Sequence, residues 1–138
     1  MFVNVLQRGE IIEECYEFML AYAAQGLPSD EGSRAGGQVR EFLNRAVQAL
    51  AGLAASFRAA VEVEGIEPAG KYHALLDVLD RDAQDSLSAI ELVLAQPVIG
   101  SQLIDNLNAS THLRALLTDM FLLGEILRTR RPAVKPGD

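Results

Sequence analysis

The chain has 138 residues, near the size of one domain, and is 49% apolar, 22% charged and 6% aromatic. That composition excludes an intrinsically disordered, fibrous or low-complexity polypeptide. Twelve Lys and Arg against nineteen Asp and Glu give a net charge of −7, so phosphate backbones repel the chain and no nucleic-acid partner is expected.

Four stretches carry apolar residues at helical spacing, divided by glycine and proline. The first runs from about Asn4 to Gln25. Leu6, Ile12, Tyr16, Met19 and Ala23 form one stripe, and Ile11, Cys15, Phe18 and Tyr22 widen it. No basic stretch leads into an apolar run with a small-residue cleavage site there, so a secretory signal is not expected. Gly26-Leu27-Pro28 ends the stretch, with glycine as a left-handed cap and proline unable to continue the helix. Ser29 to Gly32 and the pair Gly36-Gly37 read as a loop or a frayed helix start.

The second stretch runs from about Gly37 to Val63 through Val39, Phe42, Leu43, Ala46, Leu50, Leu53, Phe57 and Val61, and Gly65-Ile66-Glu67-Pro68 stops it. The third runs from about Ala69 to Ala95, with Tyr72, Leu76, Leu79, Ala83, Leu87, Ile90 and Leu94 in register. The fourth begins after Gln96-Pro97 and continues to about Arg128 through Leu103, Leu107, Leu113, Leu116, Met120, Leu123 and Leu127. The two most apolar runs, 46–63 and 113–127, are interrupted by charges and fall short of the roughly 20 apolar residues that span a bilayer, so no membrane partner is expected.

Period-two alternation is missing throughout. The pattern therefore predicts an all-α protein, an antiparallel up-and-down four-helix bundle with short loops, because short connections force neighbouring helices to run oppositely. Residues 1–128 form the bundle and residues 129–138 a flexible C-terminal tail. The apolar stripe of the first helix is too wide for one seam, and Met120-Phe121-Leu122-Leu123 diverge by about 100° each, so they cannot all face one core. The excess predicts a homodimer through the first or fourth helix. The acidic first helix could also meet the basic tail (Arg128, Arg130, Arg131, Lys135) of a neighbouring subunit.

Few residue patterns here point to chemistry. Residues Asp80 to Glu91 resemble the calcium loop of an EF-hand, with Asp80, Asp82, Gln84, Ser88 and Glu91 as side-chain donors and Ser86 donating its carbonyl. Asp85 stands where that loop needs glycine, and Ala83, Leu87, Ile90 and Leu94 carry the helical stripe straight through, so a continuous helix with a solvent ladder of Asp77, Arg81 and Asp85 is the preferred reading. Glu10, Glu13 and Glu17 share one face of the first helix. With His73, Asp77 or His112 they are the metal-ligand candidates, although neither histidine completes a Glu-x-x-His motif. Asp105, His112 and Asp119 recur at heptad spacing, another set that could hold a divalent ion or orient an imidazole. Cys15, the single cysteine, cannot form an internal disulfide, which suits a cytoplasmic, reducing setting; flanking glutamates should raise its pKa. Neither a nucleophile elbow nor a phosphate loop is present. These observations favour a non-catalytic interaction protein (an adaptor, chaperone or assembly factor) that binds a protein partner through apolar helix surface, with no cofactor. The alternative is a metal- or small-ligand-binding bundle built on the carboxylates of the first helix with His73 or His112.

Overall fold

Six helices, rather than four, carry the chain in a computed structural model that describes residues 2–129: α1 (Phe2–Ala24), α2 (Arg34–Leu50), α3 (Leu53–Glu64), α4 (Ala69–Leu94), α5 (Ser101–Asn108) and α6 (Thr111–Thr129). Among the described residues there is no strand, and the all-α class holds. Thr129 closes α6; the rest of the predicted tail lies outside the described residues.

Each extra break has an identifiable cause. The second predicted helix ends at Leu50, where Ala51 leaves helical geometry (ψ 113°) and Gly52 adopts φ 83°, a left-handed conformation that costs a residue without a Cβ nothing. Arg8 of α1 fixes this break from outside. Its Nη1 donates to the carbonyls of Ala51 (2.7 Å), Gln48 and Ala49 (both 3.1 Å), supplying positive charge where the helix dipole is negative and carbonyls lack partners. From there α3 departs at 42° to α2. The fourth predicted helix is cut at Ser110, whose hydroxyl accepts the Leu113 N–H (3.4 Å) and whose carbonyl accepts that of Arg114 (3.1 Å), the arrangement of an N-cap. Residues 97–100, expected to be helical, are extended or turning instead.

By contrast, α4 runs unbroken through Asp80 to Glu91, as the continuous-helix reading required. The expected ladder on its face does not form: Asp77 pairs with Arg58 of α3, and Asp85 lies 3.9 Å from His112 of α6.

The core is one contiguous cluster. Val5, Ile12, Cys15, Met19 and Tyr22 supply α1's share; Leu43 and Leu50 come from α2, Leu53 and Phe57 from α3, Leu76, Leu79 and Ile90 from α4, Ile104 from α5, and Leu113, Leu116 and Leu123 from α6. Leu6, assigned to the inner stripe of the first helix, instead points outward and is 62% exposed, because the buried line follows the 5–12–19 register. α1 packs on α2, α3 and α5, whereas α4 packs on α2, α3, α5 and α6. Among the described residues no single helix is long and apolar enough to cross a membrane; the bent α2–α3 pair reaches that composition, and its apolar face is core.

Candidate functional site

The open place in this packing is the seam between α1 and α6. α5 closes against α1, but α6 does not pack closely on α1, and the two helices border a furrow. Its lower part is a hollow of about 590 Å³ lined by Val5, Leu6, Gly9, Glu10 and Glu13 of α1, Leu53 and Phe57 of α3, and Met120, Gly124, Leu127 and Arg128 of α6. A second, more polar hollow of about 410 Å³ follows, bordered by Tyr16 and Leu20 of α1, Asp105 and Asn108 of α5, and Arg114, Leu117, Thr118 and Phe121 of α6. Apolar side chains continue outward onto the surface beside it, Leu6 and Leu20 on α1 and Phe121 (52% exposed) on α6, while Leu122 (48%) and Ile126 are exposed further round α6, away from the furrow. Consecutive apolar residues from 120 to 123 thus do divide as their angular spread demands. Leu123 enters the core, Met120 edges the furrow, and Phe121 and Leu122 face outward.

Two glycines hollow out this furrow. A Cβ built on Gly124 would meet nothing within 4 Å, and one on Gly9 would find only the Met120 methyl at 3.7 Å. Space exists there because side chains are missing.

The metal-ligand candidates are spread over the molecule. Glu10 and Glu13 line the lower hollow, and Glu17 is exposed one turn further along α1. His73 and Asp77, at the start of α4, both turn to Arg58: the guanidinium pairs with Asp77 and lies 3.5 Å from His73 Nδ1. Since guanidinium can only donate, that nitrogen is the acceptor, an arrangement that places a cation where a metal would have to sit. His112 is exposed beside Asp85, about three turns further along α4 from His73. Among the described residues no three His, Cys, Asp or Glu side chains are grouped so as to hold a metal ion. The heptad set of Asp105, His112 and Asp119 is broken up by the turn at Ser110, with Asp105 and His112 exposed and Asp119 buried.

Asp119 is the one charged residue in the described core, 9% exposed between α6 and α4. It interacts with a second carboxyl, that of Asp82, and its Oδ2 meets no hydrogen-bond partner among the described residues. Burial first, then the hydrogen bond and the charge of Asp82, push its pKa up to about 7. Cys15 is buried, and its thiol pKa is pushed up to about 12 by that burial, with Arg45 acting weakly the other way. Desolvation, rather than the flanking glutamates, therefore raises that pKa.

Periodicity gave no sign of a polar clamp at the end of the molecule where α5 closes on α1. Asp30, in the α1–α2 loop, accepts the Ile99 N–H (2.8 Å) and the Arg40 Nε–H (2.9 Å), which hold its carboxyl below its ordinary range against the cost of burial. Arg40 continues to the carbonyls of Leu94 (2.9 Å) and Gln96 (2.8 Å) at the end of α4. Tyr22 donates to the Ile99 carbonyl (2.7 Å), and the Ser101 hydroxyl donates to the Tyr22 carbonyl (2.6 Å). Asp30, Arg40, Tyr22 and Ser101 lie far apart in sequence, and a loop Asp followed ten residues later by a helical Arg is too common a pattern to single out.

Comparison of the chain with protein-family models, with curated proteins and with solved structures finds no match.

Proposed function

We propose that this chain is a non-catalytic interaction protein, an adaptor, chaperone or assembly factor, that binds a protein partner along the α1–α6 seam. One observation carries the reading: two neighbouring helices stand apart over an apolar floor of Val5, Leu53, Phe57, Met120 and Leu127. Exposed apolar residues on both rims extend that floor, as interaction surfaces on soluble proteins do. In this reading the six helices act as four antiparallel rods (α1, α2–α3, α4 and α5–α6), a ring complete except along the seam. A partner helix laid there completes the packing of the bundle. The reduced Cys15 suits a cytoplasmic setting. A homodimer through α1 or α6 remains the other use of this surface.

The test is site-directed photo-crosslinking in cells, with the reactive residue at Leu6 or Phe121 on the seam and at Gln84 on the exposed side of α4 as control. One recurrent protein adduct at the seam positions, suppressed by Gly124→Leu, is the expected result. Equal labelling at all three positions, or adducts indifferent to Gly124→Leu, overturns it. The size of the lower hollow favours a second reading, a small apolar ligand held under Glu10 and Glu13. In that case the purified protein would carry an extractable compound, and seam crosslinks to protein would not form.

A further inference from the structure

The furrow has one charged wall. Glu10 and Glu13 line the lower hollow and Glu17 continues the same ridge of α1, at the i, i+3, i+7 spacing of one helix face. Among the described residues no ion pair includes any of the three, while Glu14 beside them is paired with Arg45 at 3.3 Å. Arg8, from the same helix, is engaged on the α2 carbonyls. On the opposite wall Arg128 is neutralised by Glu125 at 2.5 Å, leaving Arg114 at the far end of the upper hollow. An apolar floor with a row of carboxylates along one rim, unpaired among the described residues, selects by charge as well as by shape.

Resting on the interaction reading above, we infer that the seam takes an amphipathic helix of another protein with one basic edge. Its apolar stripe fills the lower hollow and runs on between Leu20 and Phe121 at the upper one, and its lysines or arginines, at three- and four-residue spacing, face Glu10, Glu13 and Glu17. The lining residues of α1 run from Val5 to Leu20, about 22 Å at 1.5 Å per residue, so about four turns of the partner helix are seated. A second copy of this chain is the poorer occupant. It carries a net charge of −7, and its own α1 would set the same carboxylates against Glu10, Glu13 and Glu17.

Three helical peptides of about 20 residues, with one leucine stripe and either Lys, Gln or Glu along its edge, provide the test. Their affinities are measured by fluorescence anisotropy for the wild type, for Gly124→Leu and for the triple variant Glu10→Gln, Glu13→Gln, Glu17→Gln, each first verified as folded by circular dichroism. The Lys peptide should bind the wild type about tenfold more tightly than the Gln peptide, the Glu peptide weakest. The triple variant should abolish that preference, and high salt should shrink it. If the three peptides bind alike and Gly124→Leu weakens all of them, the basic edge is wrong while the interaction reading stands. Should none bind the wild type better than Gly124→Leu, both fall. A wild-type dimer in sedimentation that Gly124→Leu dissociates assigns the seam to a second copy and overturns the inference.

Discussion

Asp119 and Asp30 respond to pH in opposite directions, and the sign of each follows from its surroundings. Asp119 meets burial and another carboxyl, so its folded-state pKa is raised from 3.8 to about 7. The folded protein then holds a proton that the unfolded chain releases, and stability falls as pH rises from about 4 to about 7. Asp30 is the reverse case: the Ile99 N–H and Arg40 stabilise its charged form, so its contribution is present above 3.8 and is lost as pH falls through its lowered folded-state value. Asp119→Asn, which leaves an amide donor facing Asp82, should stabilise the protein by about 1–2 kcal/mol at mildly alkaline pH and by little near pH 4. Urea midpoints measured across that range should slope downward for the wild type and stay nearly level for the variant; parallel slopes would refute the assignment. Cys15 gives a second expectation at this scale. With its thiol buried and its pKa near 12, a thiol reagent should modify it only as fast as the molecule opens, and addition of denaturant should accelerate labelling in step with unfolding.

At the scale of helices, closeness of approach decides more than propensity. Gly36, in the first turn of α2, lies against the loop that carries Asp30; a Cβ there would fall 2.2 Å from the Asp30 carbonyl oxygen. Gly36→Ala should therefore cost about 2–3 kcal/mol despite alanine's better helix propensity, because the obstacle is backbone rather than a movable side chain. Thermal melts of Gly36→Ala and of Gly37→Ala, where nothing lies within 4 Å, separate the two effects: the first should fall, the second should not. The same contrast explains how far the sequence could be read. The cores of α2, α3 and α4 were legible in it because Val39, Leu43 and Leu50, then Leu53, Phe57 and Val61, then Leu76, Leu79 and Ile90 recur at the helical period and all are buried. The breaks at Gly52 and Ser110 were not, since the apolar stripe passes through both and the deciding partner of the first, Arg8, lies about 40 residues away. Of the seam, periodicity revealed the surplus of apolar residues around Phe121 and the shared face of Glu10, Glu13 and Glu17. That these two features border one furrow depends on α6 not packing closely on α1, a tertiary fact with no local signature.

For the whole molecule, an open seam is a deficit in stability. Exposed Phe121 forgoes the burial that a closed seam would give it, and Gly124 weakens α6 in its interior by about 1 kcal/mol relative to a good helix former. A protein under pressure only to fold would fill this space. Gly124→Leu should do so, since the new Cβ meets nothing within 4 Å and the hollow beside it is lined by Met120, Leu127 and Leu6. Helix propensity contributes about 1 kcal/mol and partial burial of the new side chain about 1 kcal/mol more, so the melting temperature should rise by about 5 °C. A lower melting temperature would mean that α6 lies closer to α1 than described, and with it the furrow would lose its volume. A rise accompanied by loss of partner binding would tie the missing side chain at position 124 to recognition, with stability given up to keep the two helices apart.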